Sequence, residues 1–297
     1  MAPDLDVVTL PAHGRMADDE TARIDIAVFS ADLWSEGRGP AFMKVLLSAP
    51  KARWLHTFSA GLDDPVFDLF RDRGVMVTHS AGSSAIPIAH TVMMQVLSMC
   101  RNGRRWATAQ TRHEWDAADI IDVEDRTMGV IGLGGIGTEV ARLATHFGMR
   151  VIATRRTPTG DEPCETWTSD RMHELLPLVD DLVLCAPLTP QTRRMIAAPE
   201  LALMRPGAHL VNVGRGELID EEALVDALRT GRVGAAALDV FATEPLPADS
   251  PLWGMSNVLI TPHSAGTSTL ASDRAAAIFL DNLGRWVRHE PLRNLPA

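Results

Sequence analysis

The stretch TMGVIGLGGIG, from Thr127 to Gly137, limits what the chain can fold into more than any other. A short apolar run leads straight into Gly132-Leu-Gly134-Gly135-Ile-Gly137. Such a glycine string is weak evidence by itself; its surroundings give it meaning. Here Val140, Leu143, Ala144 and Phe147 follow at the spacing of one helix face, Gly148 stops the pattern, and an apolar run resumes at Val151. Strand, glycine turn, helix and strand in that order open a dinucleotide-binding unit. Gly132 permits the tight turn, Gly134 lets the backbone approach a pyrophosphate, and Gly137 allows close packing of helix on strand. The helix N-terminus offers N–H groups and a partial positive charge to phosphate.

Further strand-like runs follow: RVIATR, DLVLCAP, AHLVNVG, GAAALDV and NVLITP, alternating with helical segments. Apolar strands alternating with helices predict a parallel sheet covered on both faces. The first third alternates in the same way, with strands at IDIAVFSA, ARWLHTFSAG and VMVTHSAG and helices between them. The run Ala85–Cys100 reads as a long apolar helix bridging two domains. The predicted fold is α/β with two domains. A Rossmann-type doubly wound parallel sheet at 99–267 binds the dinucleotide. A smaller flavodoxin-like α/β substrate domain at 1–98 is completed by a C-terminal helix within 268–297.

Composition narrows the function. The formal net charge of -10 argues against a general nucleic-acid surface, which needs clustered Lys and Arg. No apolar run reaches the roughly 18–20 residues of a membrane span, and the N-terminus has no basic-then-apolar secretory pattern. Cys100, Cys164 and Cys185 fit neither a disulfide framework nor a metal site, so we expect reduced thiols, a cytoplasmic protein and no metal. The chain holds no tyrosine, which removes that residue as an acid or base.

One basic spot stands out against the acidic total. The second strand of the nucleotide unit ends at Arg155, 18 residues after Gly137, and Arg156 follows. A carboxylate usually occupies this place and accepts hydrogen bonds from the adenosine ribose. A guanidinium instead favours a 2′-phosphate through charge-assisted, often bidentate hydrogen bonds. Thr154 and Thr157 could add hydroxyls. NADP(H) is therefore expected over NAD(H), with NAD(H) as the alternative.

Three later stretches, HLVNVGRGELIDEEAL, AALDVFATEPLP and NVLITPHSAGTS, join GVIGLGGIG and LCAPLTPQT in one order. Together they resemble the D-isomer-specific 2-hydroxyacid dehydrogenases over roughly Ser59 to Ser268. FSAGLDD also looks like that family's substrate-carboxylate loop. The resemblance implies that Arg215 binds the carbonyl oxygen and carboxylate of a 2-oxo acid, that His263 is the general acid, and that Glu244 hydrogen-bonds His263. It implies that the backbone N–H groups of Ala60 and Gly61 hold the substrate carboxylate and that Asp239 contacts the nicotinamide side. Gly135, Ile136, Ala186, Pro187, Thr192, Val213, Ala265 and Gly266 fall at matching cofactor positions. The chemistry asks for the same residue types. Hydride addition to a 2-oxo acid builds negative charge on oxygen, which a fixed cation stabilises, and a donor must then supply the proton.

The resemblance implies reduction of a glyoxylate- or hydroxypyruvate-like 2-oxo acid to the (R)-2-hydroxy acid by a homodimer. Bulkier aromatic or branched 2-oxo acids are the alternative, and a dinucleotide-sensing regulator without activity is a remote one. Residues near Leu33, Trp34 and Met93 would set the side chain accepted. The sequence departs from the family in four places. TRR replaces the strand-end carboxylate, His90 stands where the bridging helix usually starts with an acidic residue, and DVEDRTMG replaces a Gly-Lys form. The fourth is a short N-terminus, so the first strand of the substrate domain is expected to be trimmed or absent. Glu244, where formate dehydrogenases of this superfamily pair the histidine with glutamine, argues against that activity.

Overall fold

A computed structural model describes residues 5–13, 15–62 and 64–296. The chain separates into two units: one runs up to Ser84 and resumes at Ser268, the other is Ala85–Thr267. The boundary expected at 98/99 therefore moves to 84/85. Helix Ala85–Cys100 buries Ala89, Val92, Met93 and Val96 in the same cluster as Met128, Val130, Val140 and Ala144. Its apolar face is thus part of the nucleotide unit's core.

The first unit contains a parallel sheet of β1 (Ile26–Phe29), β2 (Trp54–Thr57) and β3 (Met76–His79), ordered β1-β2-β3. These are fewer strands than the five of a full flavodoxin-like sheet, and their order has no reversal. The C-terminal helix Ala271–Val287 belongs to this unit: Phe279 and Trp286 each lie with ring centroids 5.5 Å from the buried Trp54. Asn294 then ties the chain end to the carbonyls of His79 and Ala81.

Central β2 carries a buried polar row. His56, 1% exposed, sets Nδ1 2.8 Å from Thr78 Oγ1 and Nε2 3.1 Å from Ser80 Oγ. Burial, and secondarily His79, pushes its pKa down from 6.5 to about 4. The unfolded chain therefore binds a proton at a pH where the folded chain does not. This stability is present above pH 6.5 and is lost as pH falls toward 4; the shift corresponds to about 3 kcal/mol at most. Burial lowers the His79 pKa too, which adds in the same direction. The wild-type denaturant midpoint should fall between pH 7 and pH 4.5, and His56→Gln should flatten that fall. An equal fall in the variant would assign the acid lability elsewhere.

The second unit contains β4 (Thr127–Ile131), β5 (Arg150–Arg155), β6 (Glu165–Thr168), β7 (Asp181–Leu184), β8 (Ala208–Asn212), β9 (Val233–Leu238) and β10 (Val258–Ile260). Every pairing is parallel, in the order β10-β9-β8-β7-β4-β5-β6. That is a Rossmann-like doubly wound sheet, with its order reversing between β4 and β7. Because all strands run the same way, their carboxyl ends share one edge, where such sheets bind ligands. The opposite edge holds a buried ionic cluster. Cys100, Asp181 and His209 bring potential ligand atoms within 4.8 Å of one another. Arg126 supplies the cation, with Nε 2.7 Å from Asp181 and Nη2 3.2 Å from His209 Nδ1.

Candidate active site

The glycine turn lies at the point where strand order reverses. Gly132 follows β4 at φ +96°, and a Cβ there would stand 2.7 Å from the backbone of Ala186, just beyond β7. A Cβ on Gly137 would stand 2.2 Å from the Gly132 carbonyl oxygen, so helix Gly135–His146 comes down onto the turn only because glycine is there. At Gly134 a Cβ would meet nothing within 4 Å, leaving the backbone open to a ligand. No side chain caps this helix, so its first N–H groups can take a pyrophosphate. Gly135 is exposed and Ile136 partly so beside that opening. The cradle fits a dinucleotide.

The Thr154 carbonyl accepts hydrogen bonds from the Gly132 and Leu133 amides at 3.0 and 3.1 Å. Its side chain is buried, 1% exposed, so Thr154 braces the turn rather than presenting its hydroxyl at the surface. Arg155 Nη1 lies 3.2 Å from Glu162, whereas Arg156 and Thr157 are exposed. Across the reversal, Ala186 is buried and Pro187 exposed; the Thr192 hydroxyl donates to the Pro187 carbonyl at 2.7 Å and folds that loop back.

Arg215 sits beyond β8, past the buried Val213. Asn212 holds this turn from both sides: its Nδ2 donates to the Arg215 carbonyl at 2.8 Å, and its Oδ1 accepts from the Gly214 amide at 3.0 Å. Arg215 Nη1 donates to the Gly214 carbonyl at 2.8 Å. Asn212 is a supporting residue that the sequence reading missed; its signal was a polar residue ending the buried strand after Leu210 and Val211.

Gly216 is the tightest glycine in this unit. A Cβ there would stand 1.9 Å from the Phe241 carbonyl carbon and 2.4 Å from the Ala242 nitrogen. Those atoms are backbone, and the Phe241 amide donates to Glu244 Oε1 at 3.0 Å. Gly216→Ala must therefore shift either the Arg215 turn or the Glu244 loop. We expect about 1–3 kcal/mol of destabilisation from this overpacking together with a loss of turnover. A variant with wild-type kcat and melting temperature would show that the turn yields freely.

His263 follows β10 at φ +49°, in the left-handed region. Its amide donates to the Asp239 carbonyl at 2.8 Å, which helps fix that backbone. The Asp239 carboxylate, expected to face nicotinamide, accepts from the Thr261 hydroxyl at 2.6 Å and the Ser264 and Ala265 amides at 2.9 and 3.1 Å. Asp239 is buried, and these contacts make it the anchor of the histidine turn. The His263 ring sets Nδ1 2.7 Å from Glu244 Oε2. Ala265 is buried behind the turn and Gly266 is partly exposed. In the first unit, Ala60 and Gly61 form the turn after β2, where the Ser59 hydroxyl donates to the Gly61 carbonyl at 2.9 Å. Leu33 and Met93, expected near the substrate, are buried in cores, and Trp34 is exposed.

A parallel sheet with a glycine cradle at its reversal, and with an arginine and a histidine–carboxylate pair on the same edge, defines a dinucleotide-dependent oxidoreductase. The chain belongs to the D-isomer specific 2-hydroxyacid dehydrogenase family, whose NAD binding domain matches residues 93–265. It is 38% identical over 245 residues to glyoxylate/hydroxypyruvate reductase B of Yersinia enterocolitica, covering 79% of this chain and 74% of that protein. It is 34% identical over 255 residues to the D-3-phosphoglycerate dehydrogenase of Methanocaldococcus jannaschii, covering 84% of this chain but spanning only 48% of that relative's length. A Xanthobacter autotrophicus Py2 enzyme of this family, solved with NADPH and MES, matches 99% of this chain and 90% of its own at TM-score 0.83 and 30% identity. An NADPH-dependent glyoxylate/hydroxypyruvate reductase from Sinorhizobium meliloti, solved with NADP and sulfate, matches 92% of this chain and 85% of its own at TM-score 0.79 and 28% identity.

Proposed function

We propose that the protein reduces a small 2-oxo acid, of the glyoxylate or hydroxypyruvate class, to the (R)-2-hydroxy acid with NADPH. The observation that carries this reading is the His263–Glu244 pair on the sheet edge that also bears Arg215 and the glycine cradle. The cofactor held in the glycine cradle would supply the hydride that the substrate's carbonyl carbon takes up. Arg215 stabilises the charge that builds on the carbonyl oxygen and orients the carboxylate. His263 Nδ1 donates to Glu244, which leaves Nε2 to deliver the proton to that oxygen. The amides of Ala60 and Gly61 take the substrate carboxylate. The turn of Gly132, Gly134, Gly135, Ile136 and Gly137 forms the pyrophosphate cradle, and Arg155 and Arg156 favour the 2′-phosphate.

The relatives named for glyoxylate and hydroxypyruvate support the substrate class, and the neighbours solved with NADPH or NADP support the cofactor. A cytoplasmic homodimer completes the reading. Trp106 and the fully exposed Trp115 give the nucleotide unit apolar surface for a second copy, and among the described residues no helix is long and apolar enough to cross a membrane. The test is NADPH and NADH oxidation with glyoxylate, hydroxypyruvate and phenylpyruvate, followed by chiral analysis of the product. Turnover with NADPH and a small 2-oxo acid is expected; no turnover with any of them would overturn the proposal.

A further inference from the structure

The loop after β5 is folded around one carboxylate. Glu162 lies seven residues beyond Arg155, yet its side chain is only 6% exposed. Its Oε1 accepts from the Thr159 amide at 2.6 Å and Arg155 Nη1 at 3.2 Å, and lies 3.0 Å from the Thr159 hydroxyl, whose single proton also faces Asp161 Oδ1. Its Oε2 accepts from the Gly160 amide at 2.8 Å, where the chain turns at φ +90°. These donors, the Thr159 amide foremost, hold the carboxyl down at about 2, so it is ionised at any working pH. Arg155 is drawn toward the loop, with 34% of its side chain exposed. Arg156 is exposed and, among the described residues, makes no ion pair.

We infer that Glu162 is a positioning residue for the cofactor's 2′-phosphate: it folds the loop after β5, backs Arg155, and leaves Arg156 as the principal cation facing the phosphate. The inference rests on the NADPH reading above. It makes a prediction of opposite sign to simple electrostatics. A carboxylate near a phosphate repels it, so removing the charge should tighten binding. The Thr159 and Gly160 amides and the Arg155 guanidinium that face the carboxylate can only donate. A glutamine would turn its own N–H groups against the Thr159 and Gly160 amides or against Arg155, leaving donors unpaired and the loop unfolded locally.

The experiment is calorimetric titration of the intact protein with 2′,5′-ADP, which carries the phosphate, and with 5′-AMP, which lacks it. Wild type should bind 2′,5′-ADP the more tightly. E162Q should weaken 2′,5′-ADP about tenfold, the loss of a charged hydrogen-bond set, while 5′-AMP affinity stays put. R156A should remove most of the preference for 2′,5′-ADP, and R155A less of it. Tighter or unchanged 2′,5′-ADP binding by E162Q, or an equal loss for 5′-AMP, would overturn the role of Glu162 while leaving the cofactor reading intact. Equal binding of the two probes by wild type would instead overturn the NADPH reading, and the inference with it.

Discussion

His263→Ala should lower kcat about 10²- to 10⁴-fold, the range for losing a general acid, with NADPH affinity nearly unchanged. Two geometric facts separate those effects. The ring is fixed through Nδ1 to Glu244, so what the substitution removes is a ring held in a set position, the proposed proton donor. The backbone at His263 is held independently, by its own amide on the Asp239 carbonyl and by the Ser264 and Ala265 amides on the Asp239 carboxylate. Alanine can keep those bonds, although the left-handed φ costs it more than histidine. The phosphate cradle follows β4, four positions from β10 in the sheet, and does not depend on the ring. Single-turnover rates and NADPH titration by fluorescence would read the two quantities separately. Full activity in the variant would refute the assignment.

Much of this was legible in the sequence because it is written in backbone constraints. Gly132 and Gly137 read as a turn and a close approach, and the structure puts 2.7 Å and 2.2 Å on those needs. Alternating apolar strands and helices dictate a parallel sheet, and a parallel sheet gathers residues from distant motifs at one edge. What was not legible is the direction of individual side chains. Thr154 and Arg155 are neighbours on β5, so one points into the core and the other out of it, and the strand's end gave no sign of which. Glu162 lies in an irregular loop with no periodicity to mark it. Asp239 is expected on the nicotinamide side, and the sequence gives no sign that its carboxylate also accepts from three donors of its own chain. The bridging helix has apolar residues on several sides, so its pattern named no partner, and only packing assigned Ala85–Cys100 to the nucleotide unit.

Arg215→Ala should lower kcat/KM by about 10²- to 10³-fold, the typical cost of removing a preorganised oxyanion donor, and it should raise the KM for the 2-oxo acid as well. Both parameters must move, because the guanidinium is proposed to hold the carboxylate in the ground state and the carbonyl oxygen in the transition state. The turn around Arg215 is built for a fixed cation. Asn212 clamps it through the Arg215 carbonyl and the Gly214 amide, and Gly216 packs it against the Phe241 backbone. Arg215→Lys keeps the charge but not the planar fork, so it should recover part of the kcat and little of the affinity. The pair of variants separates charge from geometry. If Lys restored both parameters, a point charge would suffice and the clamp on the turn would have no catalytic purpose. If Ala left KM unchanged, the carboxylate would be held elsewhere, and the Ala60–Gly61 amides would have to bear that contact alone.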